Sequence, residues 1–153
     1  IWTNKKKILI LETSSYYETL SWPDPKKPKF LNIVLKVNTY FTPLQLIKKC
    51  KEIEVSLGRK KTARNSPREC DIDIIDYNKK VVNNKIILPH PRMHTRNFVL
   101  LPLFEINKDW IHPKLKCHIK KLIISLPNRD ITSIKQIWFN DIIMYVKFWR
   151  IDK

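Results

Sequence analysis

Glycine is nearly missing from this chain: Gly58 stands alone among 153 residues. A glycine-rich loop that wraps phosphates in backbone N–H groups is therefore excluded. If a nucleotide binds, side chains and metal must hold its phosphates. Paired cysteines are missing too. Cys50, Cys70 and Cys117 are widely spaced, form no CxxC and are odd in number. That argues against a disulfide framework and points to a reducing, cytoplasmic setting. No apolar run approaches the ~18 residues of a membrane span, and no leader pattern precedes the first strand-like segment, although the chain opens on Ile1 rather than Met. Acid is scarce, with 14 Asp and Glu against 30 Lys and Arg, a formal net charge of +16 and a pI near 9.9. Such a surface favours anionic partners (nucleic acid, phosphate or a membrane face), and it also simply keeps a protein soluble.

What is present fits one folded domain, since 43% of the residues are apolar and the length allows a real core. Residues 7–17 read as a β-branched strand, and 18–29 as a rigid loop with Pro23, Pro25 and Pro28. Residues 30–40 alternate, with Leu31, Ile33, Leu35 and Val37 on one side, and read as a second strand. Thr42, Pro43 and Gln45 spell an N-cap, a first-turn proline and a capping box for a helix over 42–57. Its expected apolar face is Leu44, Ile47, Cys50, Ile53 and Leu57, and Gly58 ends it. Residues 59–69 form a basic loop, 70–77 a strand, and 80–83 with 86–88 a small hairpin around Asn83-Asn84. Residues 89–97 read as a loop and 98–106 as a short helix. Pro113 is expected to start another helix, with Leu115, Ile119, Leu122, Ile123 and Leu126 inward. The order of strands and helices suggests a layered α+β fold, 1–137 forming the domain and the aromatic-rich 138–153 a tail of no evident role.

The segment "RECDIDIIDYN" carries the chemistry. In a strand, Asp71 and Asp73 share one side and Ile72 and Ile74 the other. The carboxylates then stand roughly 6.5–7 Å apart and repel each other unless a cation is held between them. Carboxylate oxygens suit Mg²⁺, which keeps waters and substrate phosphates as its remaining ligands. Cations flank the pair. Arg59, Lys60, Lys61, Arg64 and Arg68 precede it; His90, Arg92, His94 and Arg96 follow. Arginine grips phosphate through its planar fork. Carboxylates within a cationic wall are the parts of a phosphoryl-transfer site, where positioning and charge neutralisation supply most of the catalysis. His90 and His94 have an H-x₃-H spacing, but no paired cysteines accompany them and Pro91 disturbs a helix there, so phosphate contact is preferred to zinc. Phe30 and Asn32 share a strand face, offering a flat heterocycle a stacking surface and an in-plane amide.

Three stretches carry a family resemblance: "SSYYET" with "PKFLN" (14–32), "EIEVSLGRKKTARNSPRECDIDIIDYN" (52–78) and "LPHPRMHTRNFVLLPLFEI" (88–106). Their order and spacing resemble 6-hydroxymethyl-7,8-dihydropterin pyrophosphokinases of folate biosynthesis, over roughly residues 7–126. The resemblance implies a ferredoxin-like antiparallel sheet packed with helices, a monomer without nucleic-acid or membrane partners, and transfer of pyrophosphate from ATP to a pterin. It makes Asp71 and Asp73 ligands of two Mg²⁺. By the same resemblance, Arg59, Lys61, Arg68, His90 and Arg96 match basic positions that grip the triphosphate, with Arg59, Arg68 and Arg96 implied as catalytic. Ile74 and Lys85 match nucleotide-contacting positions less closely. The resemblance implies that Phe30 and Phe98 would sandwich the pterin, that Asn32 would bond its edge, and that Thr19, Leu20 and Trp22 match the loop lining its pocket. Glu54 falls on an acidic position of the family with no assigned role. The chain departs from the family in three places: the opening strand, its Gly-Ser-Asn turn and the helix after it have no counterpart; Asn65 and Ser66 stand where many members have Trp-Gly; and 138–153 match nothing in the family. The expected sheet thus lacks its N-terminal strand and shows an open edge. Two other readings are open: a basic nucleic-acid-binding module, which gives no purpose to Asp71 and Asp73, and an inactive homologue.

Overall fold

The strand-like run after the first lysines is strand, but in two pieces. The structure, a computed structural model, describes residues 8–20, 26, 28–58 and 70–137. Strand β1 (Ile8–Thr13) gives way at once to β2 (Tyr16–Thr19), and β3 (Phe30–Asn32) to β4 (Leu35–Thr39). β1 pairs antiparallel with β4, and β2 with β3, so one long hairpin is shared between two sheets. The break lies where Ser14 meets Val34. Ser14 N–H donates to the Val34 carbonyl at 3.0 Å, while Val34 N–H donates to Ser14 Oγ at 3.0 Å. A side-chain oxygen thus takes the place of a ladder carbonyl, and the buried hydroxyl lets the chain turn from one sheet into the next. This corrects the expectation of single strands over 7–17 and 30–40. Of the residues expected on one side, Leu31, Leu35 and Val37 are exposed and Ile33 is half-buried.

Helix α1 (Pro43–Ser56) begins as its sequence requires. Thr42 Oγ1 accepts from Gln45 N–H, and the Gln45 side chain accepts from Thr42 N–H at 3.0 Å. Gly58, at φ 98°, provides the left-handed residue that ends it. The buried stripe, however, is Leu46, Cys50 and Glu54, spaced by four, while Leu44 stays exposed. A hairpin follows, β5 (Val82–Asn83) against β6 (Ile87–Leu88), as the double asparagine suggests. Helix α2 (Asn97–Ile106) packs on α3 (Ile119–Ile124). Their contact makes the core: Met93, Val99, Leu100, Leu103, Trp110, Ile119, Leu122 and Leu126. Fully burying a side chain such as Leu100 contributes about 1.5–3 kcal/mol.

The expected start of α3 at Pro113 is wrong, for a local reason. His112 Nδ1 accepts the N–H groups of Lys114 and Leu115, closing a turn instead. The helix starts six residues later, where His118 Nδ1 accepts from Lys120 N–H and serves as its cap. Short α4 (Asn128–Ser133) then leads to β7 (Lys135–Ile137), which pairs with the free side of β2. The antiparallel sheets packed with helices give the α+β class, their ladders being spread over three small sheets. The tail 138–153 lies outside the described residues.

Candidate active site

The stretch from Cys70 to Asp76 joins no strand ladder among the described residues and Tyr77 bends out of it, which corrects the expected strand. A ladder needs a neighbour whose N–H and C=O groups face it. Here the backbone is held by other means. Ile72 N–H donates to Glu54 Oε1 at 2.8 Å, and the Ile75 carbonyl accepts from His90 N–H at 2.9 Å. The strand-like alternation survives: Asp71 and Asp73 are exposed, Ile72 and Ile74 half-buried. The two carboxylates therefore project to the open side of one segment, with Ile74 turned inward.

Glu54 explains how that segment is fixed. It is wholly buried, at 0% exposure, and a buried carboxylate needs donors. Lys51, one turn earlier, reaches both of its oxygens at 2.8 and 3.0 Å, and Ile72 N–H supplies another donor. Sequence reasoning left this residue without a role. Its signal was an acid on the same side of α1 as Leu46 and Cys50, where a charge is costly unless it is bonded.

Opposite Asp73 stand an imidazole and a guanidinium. His90 Nε2 and an Arg96 terminal nitrogen each lie 3.8 Å from Asp73 Oδ2. His90 Nδ1 accepts from Arg92 N–H, which leaves Nε2 as the atom aimed at Asp73. Burial holds the His90 imidazole below the usual histidine value; Asp73 pulls it up, less strongly. Burial also weighs against the Arg96 charge, with Arg92 adding to it and Asp73 opposing. Arg96 is the N-cap residue of α2, and its guanidinium lies over the Phe98 ring at 5.4 Å. Phe98 in turn packs half-buried on the core. One helix start thus places a cation and an aromatic face side by side.

On the other sheet, Asn32 Nδ2 donates to the Tyr17 carbonyl and to Thr19 Oγ1, both at 3.0 Å. Phe30, two residues back on the same side of β3 and paired with Thr19, is exposed, as is Leu20. Lys85 sits at the tip of the β5–β6 hairpin. Beside it, Thr42, Pro43, Leu44, Val82, Asn84 and Ile86 line an apolar groove of about 350 Å³. So Asp73, His90, Arg96 and Phe98 come together in one cluster, and Thr19, Phe30 and Asn32 in another. Trp22, Arg59, Lys61 and Arg68 lie outside the described residues.

A family model described as 7,8-dihydro-6-hydroxymethylpterin-pyrophosphokinase (HPPK) matches residues 2–108. The chain belongs to the HPPK family. Every candidate site residue, from Thr19 to Phe98, falls within that match, whereas α3, α4 and β7 lie beyond it. Among curated HPPK relatives, the 2-amino-4-hydroxy-6-hydroxymethyldihydropteridine pyrophosphokinase of Aquifex aeolicus is 38% identical over 113 residues, 73% of this chain and 71% of its own length. The folic acid synthesis protein FOL1 of Dictyostelium discoideum is 40% identical over 125 residues, 81% of this chain but 19% of the relative. The folic acid synthesis protein fol1 of Pneumocystis carinii is 38% identical over 130 residues, 84% and 18%. The chain thus spans under a fifth of the length of these last two relatives.

Proposed function

We propose that this chain transfers the pyrophosphoryl group of ATP to the hydroxymethyl oxygen of 6-hydroxymethyl-7,8-dihydropterin, releasing AMP. The observation that carries this reading is the cluster at Asp73, where His90 and Arg96 both stand 3.8 Å from a carboxylate that shares its open side with Asp71. The family match and the pyrophosphokinase names of its relatives supply the reaction. In that reaction the substrate hydroxyl attacks the β-phosphorus, the bond from that phosphorus to the oxygen bridging it to the α-phosphate breaks, and the hydroxyl proton is released. Negative charge grows on the departing α-phosphate oxygen, so donors fixed beforehand around the phosphates lower the barrier.

Asp71 and Asp73 fit hard cations: both offer exposed carboxylate oxygens from one side of an anchored backbone. They would hold two Mg²⁺, which when bound neutralise the triphosphate and orient it. The chain's own residues do the rest. Arg96 and His90 meet the β- and γ-phosphates, and Arg59, Lys61 and Arg68, matched by the family resemblance, add further cationic charge to the triphosphate. The groove beside Lys85 offers the apolar lining that an adenine ring needs, and Ile74 backs the nucleotide. Phe30 and Phe98 stack on the pterin, Asn32 bonds its edge, and Thr19, Leu20 and Trp22 wall its pocket. A basic nucleic-acid module remains the weaker account, because two exposed aspartates would repel a phosphate backbone.

The deciding measurement is AMP release from ATP, with and without the hydroxymethyl dihydropterin, in the presence of Mg²⁺. Release that depends on the pterin, and that disappears in Asp73→Ala while the circular dichroism spectrum is kept, supports the reading. Absence of pterin-dependent release, or an Asp73→Ala variant as fast as the parent, overturns it.

A further inference from the structure

Glu105, near the end of α2, carries no part of the chemistry above, yet three neutral donors converge on it. Ser15 N–H at 3.0 Å and Ser15 Oγ at 2.8 Å donate to Oε1, and Tyr17 Oη donates to Oε2 at 2.9 Å. They come from Ser15, directly before β2, and from Tyr17 within it, about 90 residues earlier in sequence. This is a tie between two elements that each hold a half of the proposed pterin pocket. Helix α2 carries Phe98 in its first turn. β2 carries Thr19 and pairs with β3, where Phe30 and Asn32 stand. The phenol of Tyr17 is buried and remains a donor at neutral pH, since burial and then Glu105 push it up to about 12.

Tyr17 faces two ways. Its side chain is bonded to Glu105, and its carbonyl accepts one proton of the Asn32 amide, whose other proton goes to Thr19 Oγ1. With both amide protons committed to β2, Asn32 has its Oδ1 to offer a ligand. It becomes an acceptor aimed at a heterocycle's N–H edge, not a group free to turn either way. We propose that Glu105 is a positioning residue for the pterin. It seats β2 against α2, and so sets the Asn32 acceptor and the Phe30 face relative to Phe98. This inference rests on the pyrophosphokinase reading and adds to it a residue that touches neither substrate.

The test is steady-state kinetics of the full chain, varying the hydroxymethyl dihydropterin at saturating MgATP and then the reverse. Glu105→Ala is expected to raise the pterin KM about tenfold, leaving the ATP KM within about twofold. Glu105→Gln, which can still accept from Ser15, recovers most of the loss. In an Asn32→Ala background the added Glu105→Ala change moves the pterin KM only about two- to threefold, because the Asn32 route is already gone and only the placing of the Phe30 face remains. If Glu105→Ala does not fold, Tyr17→Phe keeps the ring in place, removes the Oη bond, and is expected to raise the pterin KM about threefold alone. An equal rise in both KM values overturns the inference while the function stands. So does a full tenfold effect in the Asn32→Ala background, or a silent Tyr17→Phe. A parent protein without pterin-dependent AMP release overturns the function itself, and this inference with it.

Discussion

The carboxylate of Glu54 accepts the backbone N–H of Ile72 at 2.8 Å, between the two aspartates of the proposed metal site. A helix side chain thereby does the anchoring that a strand neighbour provides in a ladder. Removing it would leave a backbone N–H without its partner, at a cost of about 1–3 kcal/mol, and would let Asp71 and Asp73 move relative to His90 and Arg96. Glu54→Ala is therefore expected to raise the Mg²⁺ concentration for half-maximal activity about tenfold and to lower the unfolding midpoint in urea. Glu54→Gln keeps an acceptor for Ile72 and should lose far less. Magnesium titrations of the two variants at saturating substrates check this. Equal behaviour of both would show that the Ile72 bond does not matter to the metal.

Arg96 illustrates why charge alone is not enough. Its guanidinium is mostly buried, lies 5.4 Å over Phe98 and stands 3.8 Å from Asp73. Lysine would keep the charge but lose the planar fork and the stacking that aligns it. Arg96→Lys should lower kcat by about ten- to a hundredfold, and Arg96→Ala by about a thousandfold, the scale of losing a fixed donor to developing charge. The pterin KM should change less than kcat, which rapid-quench and steady-state measurements can separate. A lysine variant as fast as the parent would mean that Arg96 acts only as a point charge.

How much of this was legible in sequence depends on how far each partner lies along the chain. The α1 capping box is spelled within four residues, Thr42 to Gln45, and forms as written. The side-by-side aspartates were legible too, because alternation along an extended backbone needs no neighbour. The break at Ser14 was hidden, since it depends on Val34, twenty residues away, lending both its N–H and its carbonyl. The inward face of α1 was read in part: Cys50 is buried and Ile47, Ile53 and Leu57 half-buried, but Leu44 is exposed, and Leu46 and the acid Glu54, which does the buried work, were passed over. Lys-Gln-Ile of β7 has no strand signature, and only the open edge of β2 makes it one. For the site, the Asp and Arg residues announced phosphate chemistry. The pterin side rested on resemblance, because Asn32 and Phe30 are ordinary residues until Tyr17 and Thr19 orient them.

His112 provides a prediction about stability. It is 3% exposed, and its Nδ1 accepts from Lys114 and Leu115 N–H, closing the turn before α3. Trp110 meets its ring edge-on at 5.5 Å and His94 at 6.1 Å, while Asp76, bonded to Trp110 Nε1, draws the other way. Burial first, and then His94, hold this imidazole below the usual histidine value. In the unfolded chain the ring regains an ordinary pKa of about 6.5 and binds its proton more readily. The unfolded state therefore takes up more protons as pH falls, and stability must decline with it. The contribution of His112 is complete above about pH 6.5 and is lost as pH drops from there toward the folded value. His112→Asn can close the same turn through its side-chain oxygen but has no such titration. It should be less stable than the parent at pH 7.5, having lost the ring that packs on Trp110, yet lose less further stability between pH 6.5 and 5. Urea unfolding at pH 5, 6 and 7.5 reads the difference directly. Parallel pH slopes for parent and variant would show that the acid sensitivity arises elsewhere, His90 being the other imidazole that burial holds down.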